Sequence, residues 1–114
     1  MKIDAYAFGR IIVNGREYTS DLIIYPDHID ADWWRREGHR LTPEDLPEIL
    51  REPPDVLVIG TGHDGMMRLS PADLERLRQA GMEVFAGRTA DAVENFNRLV
   101  REHTRVVAAL HLTC

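Results

Sequence analysis

Val56-Leu57-Val58-Ile59 is an unbroken apolar run of strand length, and with the glycine loop after it this run constrains the fold more than any other part of the chain. A strand that is apolar at every position is covered on both faces, as in parallel sheets, whereas a half-exposed strand alternates. The run leads into the glycine loop Gly60-Thr61-Gly62-His63-Asp64-Gly65. Ser70-Pro71-Ala72-Asp73 then predicts a helix start: a hydroxyl cap, a proline where its missing N–H costs nothing, and an acid in the first turn. Leu74 and Leu77 give that helix an inward stripe, and Gly81 predicts its stop. Met82–Ala86 predicts a second strand. Thr89 is expected to cap a helix carrying Val93, Phe96, Leu99 and Val100 at helical spacing, and Arg105–Leu112 predicts a third strand. Strand, helix, strand, helix, strand is a βαβαβ unit, whose right-handed crossovers give parallel neighbours.

The first third of the chain reads as β structure. Arg10–Val13 and Arg16–Thr19 flank Asn14-Gly15, the pair that best tolerates positive φ at both centres of a type I′ turn. Leu22-Ile23-Ile24-Tyr25 is a further β run stopped by Pro26, and His28–Trp33 alternates as a rim strand would. Thr42-Pro43-Glu44-Asp45 predicts a short helix, blurred by Pro47 and ended by Pro53-Pro54. The expected fold is α/β: a single three-layer domain over residues 1–114, with a mixed central sheet, a βαβαβ second half and an N-terminal β-hairpin layer.

Fourteen basic against nineteen acidic residues leave a net charge of −5, which argues against a nucleic-acid binder that relies on phosphate neutralisation. The lone cysteine, Cys114, excludes a disulfide within the chain. No signal peptide is visible at Met1-Lys2-Ile3-Asp4, and Val106–Leu110 is far too short to span a bilayer. A cytoplasmic protein is expected.

Gly60, Gly62 and Gly65 match the spacing G-x-G-x-x-G after a buried strand, which in dinucleotide-binding folds cradles a pyrophosphate. Here Met66-Met67-Arg68-Leu69 separate the glycines from the helix, and no acidic residue ends the second strand. The alternative is that the glycines let the backbone turn sharply and approach its neighbours. In an open parallel sheet the loops at the carboxyl ends of the strands share one edge, where ligands bind. Gly60, Thr61, Gly62, His63 and Asp64 would meet Arg88 and Thr89 there, making that crevice the candidate site for a small anion. Trp33-Trp34 beside Arg35-Arg36 reads either as a recognition surface or as a lid folded over the sheet. Asn97, at the border of its helix's apolar face, reads either as bonded to backbone or as part of a site. His111 and Cys114 are expected on opposite faces, so neither metal nor thiol chemistry is supported there. His28, His39 and His103 stand alone.

Phe8-Gly9-Arg10-Ile11 before the Asn-Gly turn, Leu22–Pro26, Trp33, His39, Val56–Gly62, Thr89-Ala90, Phe96-Asn97-Leu99 and Val106–Leu112 form one combined pattern. By it the chain resembles a domain-of-unknown-function family of small α/β proteins. That family is related to the mitochondrial NADH dehydrogenase (ubiquinone) alpha-subcomplex assembly factor three and to the adipogenesis-associated domain protein. The resemblance implies a mixed sheet with one strand antiparallel to the rest and an additional β layer. It implies no reaction, no catalytic residue and no cofactor. The mitochondrial relative promotes assembly of a membrane enzyme complex by binding partners, so the resemblance implies a protein partner. Gly60-Thr61-Gly62 would then be the core of a turn that shapes a recognition surface.

Overall fold

Asn14 and Gly15 take φ of 50° and 79°, both in the left-handed region that Asn tolerates and Gly adopts freely, and close a tight hairpin. In this computed structural model, which describes residues 1–102 and 105–114, the hairpin joins β2 (Arg10–Val13) to β3 (Arg16–Tyr18). A strand that the hydropathy pattern does not disclose, β1 (Ile3–Ala7), pairs antiparallel with β2 through a bulge between Ile3 and Ala5. Only Ile3 in it is fully buried, so it carries no alternating stripe to read.

A separate five-stranded sheet contains β4 (Leu22–Ile24), the two-residue β5 (Ile29–Asp30), β6 (Val56–Thr61), β7 (Glu83–Gly87) and β8 (Val106–His111), in the order β5-β4-β8-β6-β7. β6 pairs parallel with both β7 and β8. β4 runs antiparallel to β8 and to β5. The expected βαβαβ half is thus present, with the last crossover returning over β6 to its far side. The reversal at β4 and the separate β layer agree with the expected architecture.

Among the described residues three helices complete the layers: α1 (Pro47–Arg51), preceded by a 3-10 turn at Pro43–Asp45, then α2 (Pro71–Gln79) and α3 (Thr89–Arg101). The short, proline-split first helix is as the sequence predicts. Asp45 organises the 3-10 turn, accepting from the backbone N–H and the hydroxyl of Thr42 at 2.9 and 3.1 Å. Ser70 caps α2, accepting from the Asp73 N–H at 3.1 Å. Thr89 does not cap α3. Arg88 occupies the cap position, and the Thr89 hydroxyl turns inward.

Period-two geometry divides the apolar strands between two cores. Val56, Val58, Val106, Ala108 and Leu110 face α3 and the three-stranded sheet, packing with Ile3, Ile11, Val13, Ala92 and Phe96. Leu57, Ile59, Val107 and Ala109 face the opposite way, toward Leu41, Leu46, Ile49, Met67, Leu77 and Trp33. Every residue of β8, including its terminal His111, is buried.

Candidate functional site

The carboxyl ends of β6, β7 and β8 and the start of β4 lie on one edge of the sheet, as the parallel and antiparallel registers require. Two polar arrangements form there.

The first is built on the glycine loop. β6 passes so close to α3 that a Cβ on Gly60 would lie 2.8 Å from the Thr89 hydroxyl and 2.9 Å from Leu110. Gly62, at φ 108°, turns the chain against Thr113 and Cys114, and a Cβ there would sit 2.6 Å from the Thr113 carbonyl oxygen. Several of the loop's N–H groups find partners within the protein. Gly62 donates to the Thr89 hydroxyl at 2.9 Å, and Thr89 in turn donates to the His111 carbonyl at 2.6 Å. His63 N–H donates to Thr113 O, Gly65 to Gly62 O, Met66 to Cys114 O and Met67 to Thr61 O. Thr61 spends its hydroxyl on the Gly87 carbonyl at 3.0 Å. A phosphate at these N–H groups would have to displace these bonds, and the absence of a Cβ at Gly60 and Gly62 allows the close backbone approach.

The edge therefore sorts the candidate residues. Gly60, Gly62 and Thr89 are buried, Thr61 is half-buried, and His63, Asp64 and Arg88 are exposed. Phe8 meets the His63 ring edge-on at 5.7 Å, and Tyr6 lies 6.4 Å from it. Burial, reinforced by the Asp64 charge, raises the Tyr6 phenol above the ordinary tyrosine range. The two tryptophans part company. Trp33 folds into the core, its indole N–H donating to Asp45 O at 3.1 Å, whereas Trp34 is 77% exposed. Asn97 is not brought to this edge. Its carboxamide brackets Ile3, accepting from the N–H at 2.9 Å and donating to the carbonyl at 2.7 Å, and so ties β1 to α3.

The second arrangement has no local signature in the sequence. Asp21, just before β4, accepts from His111 Nδ1 at 2.7 Å and from Arg35 at 2.9 Å through one oxygen. Its other oxygen accepts from the Leu112 N–H at 2.8 Å. The Arg35 side chain, 5% exposed, also donates to Gly38 O at 2.7 Å and stacks 4.5 Å from the Trp33 ring. His111 is 7% exposed. Burial alone would raise the Asp21 carboxyl, but its bonds to His111 and Leu112, the His111 charge and the Arg35 bond outweigh that and hold it below the usual aspartate range. A histidine closing a strand buried on both faces demands a partner. That demand is the one clue the sequence offers, although spacing does not reveal which acid answers it.

His28 stacks on Tyr25 at 4.3 Å, and His39 stands edge-on to His111 at 5.7 Å. His103 lies outside the described residues. Among the described residues no three His, Cys, Asp or Glu side chains gather as a metal set, and no helix is long and apolar enough to cross a membrane.

Comparison with known proteins adds four relationships. The family described as "Protein of unknown function (DUF498/DUF598)" matches residues 3–111. A Xenopus tropicalis protein named NADH dehydrogenase [ubiquinone] 1 alpha subcomplex assembly factor 3 is 33% identical over 112 residues, covering 96% of this chain and 60% of that protein. The chain thus spans about 60% of the length of this curated relative. Among solved structures, a conserved hypothetical protein from Pyrococcus horikoshii is 33% identical with a TM-score of 0.75, covering 100% of both chains. A protein from Bordetella parapertussis is 30% identical with a TM-score of 0.78, covering 96% of this chain and 92% of its own.

Proposed function

The chain belongs to the DUF498/DUF598 family of proteins of unknown function, and from that premise we propose that it is a non-catalytic, protein-binding factor of the assembly type. One observation carries this reading. Phe8 and Met66, 55% and 48% exposed, flank the glycine loop on a rim that is otherwise tightly hydrogen-bonded. Both are fixed to the same backbone segment, since Gly9 N–H donates to Leu112 O and Met66 N–H to Cys114 O, each at 2.9 Å. Large apolar side chains held on a rigid rim are what a protein interface uses as anchors. The buried threonine and glycines beneath them keep that rim in shape. The assembly-factor name of the Xenopus tropicalis relative supports a protein as the partner. On this reading the protein works in the cytoplasm and needs no cofactor.

A photo-crosslinking amino acid at position 8 or 66, with a control at Glu94 on the exposed side of α3, tests the proposal in the native host. The same discrete protein adduct is expected from positions 8 and 66 and not from 94. Phe8→Glu should abolish the adduct formed from position 66 while leaving the melting temperature unchanged. No adduct, or one adduct shared by all three positions, would overturn the reading.

The crevice between Gly60–Gly65 and Gly87–Thr89 offers an anion little, because the N–H groups of Gly62, His63, Gly65, Met66 and Met67 are bonded within the protein. Arg88 arches over Gly65 instead, its Cγ 3.5 Å from where a Cβ on that glycine would be.

A further inference from the structure

On the other side of Gly65 a groove of about 500 Å³ runs between the 39–40 and 65–71 segments. That volume is in the range of small-molecule sites. We propose that this groove is a binding site for a small phosphate monoester with an apolar body, distinct from the rim that carries Phe8 and Met66.

The backbone places two positive charges side by side there. Arg68 N–H donates to His39 O and Leu41 N–H donates to Arg68 O, both at 2.8 Å, forming an isolated parallel bridge that pairs Arg40 with Arg68. Side chains at paired positions leave the same face of a ladder, and like charges so placed repel. Arg40 reaches Glu37 only at 3.7 Å, with both side chains more than half exposed, a kind of ion pair that screens little. Arg68 has no carboxylate partner among the described residues.

His39 joins the two arginines on the groove wall, and Ser70-Pro71 bring the N-terminus of the nine-residue α2 to it. A helix N-terminus adds partial positive charge. In a chain of net charge −5 this is a local reversal of sign. Met67 and Leu69 supply apolar lining, so the groove matches an anion that carries an organic body. Two guanidinium groups suit the several oxygens and double charge of a phosphate monoester better than a single carboxylate.

Behind the wall, His39 covers His111, whose Nε2 is buried without a hydrogen-bond partner, as are Nε and Nη1 of Arg35. Unpartnered buried polar atoms are uncommon in proteins.

The test is a two-dimensional amide NMR titration of the full chain with phenyl phosphate, inorganic phosphate and phenol as probes. Phenyl phosphate should give saturable shifts confined to residues 39–41 and 65–70, inorganic phosphate weaker shifts at the same amides, and phenol none. Arg40→Gln with Arg68→Gln should weaken phenyl phosphate by about tenfold or more. The double lysine variant keeps the charge without the guanidinium forks and should bind more tightly than the glutamine pair but more weakly than the unsubstituted protein, which separates lost charge from lost folding. Shifts scattered over the other arginines, or binding indifferent to the glutamine pair, would overturn the proposal. Crosslinking from position 8 should proceed equally with and without phenyl phosphate, so this site and the protein-binding rim fail or stand separately.

Discussion

The Thr89 hydroxyl donates to the carbonyl oxygen of His111 at 2.6 Å, locking the first turn of α3 to the last residue of β8. The hydroxyl oxygen also accepts from the Gly62 N–H, so one buried side chain satisfies backbone groups from two segments. Thr89→Val fills the same volume but strands both groups. Each unsatisfied buried group costs about 1–3 kcal/mol, so urea unfolding should show a loss of about 2–6 kcal/mol. Thr89→Ser keeps the hydroxyl and should lose only about 1 kcal/mol for the missing methyl.

Gly62 and Gly65 differ in what a side chain would meet: the first cannot be replaced and the second can. A Cβ at Gly62 meets the carbonyl groups of Thr113 and Cys114 at a φ of 108°, so strain and overlap add. Gly62→Ala should cost roughly 3 kcal/mol or more in urea unfolding. Gly65, at φ 73°, would place its Cβ 3.5 Å from the nearest atom, an ordinary contact. Gly65→Ala should therefore cost only about 1 kcal/mol, the left-handed backbone penalty alone. Equal costs would show that packing against Thr113 and Cys114 is not what Gly62 is for.

Local patterns made much of this fold legible. Val56–Ile59 announced a strand covered on both faces, Asn14-Gly15 a tight hairpin, and Ser70-Pro71 a capped helix, because each depends on neighbours a few residues away. Thr89 misled for the same reason. Its place before a helical stripe suggests a cap, whereas its hydroxyl is claimed by Gly62 and His111, 27 and 22 residues distant. The Asp21–His111 pair spans 90 residues, and it forms because β4 inserts antiparallel beside β8, a pairing that no periodicity within either strand encodes. The glycine loop was visible as a turn. That its N–H groups were already bonded became visible only with Thr113 and Cys114 folded against it.

Acid should act on that long-range pair. The Asp21 carboxyl is held below the ordinary aspartate range, so the folded state binds its proton more weakly than the unfolded chain does. The stability it contributes is complete above the unfolded aspartate value of about 4 and is lost as pH falls through the lower folded value. Asp21→Asn leaves Arg35 without its carboxylate and should cost about 2–3 kcal/mol near neutrality, less than for a fully enclosed pair because Asp21 is 21% exposed. Urea midpoints measured from about pH 6 to about pH 2 should converge for the two proteins at the acid end. Parallel curves would remove Asp21 from the account.

At the opposite edge of the sheet, Tyr25 should mark the alkaline limit. Burial first, and then the charge and hydrogen bond of Glu48, push its phenol up to about 12. Its folded pKa lies above the unfolded value of about 10, so the stability it contributes is intact below about pH 10 and lost as pH rises through about 12. Near-ultraviolet phenolate absorbance should therefore show a late phase close to that value. Tyr25→Phe should delete the late phase, and Glu48→Gln should move it to lower pH by removing the charge and the carboxylate acceptor that favour the protonated ring. A late phase that survives Tyr25→Phe would belong to another tyrosine, and Tyr6, which burial also raises, would be the residue to substitute next.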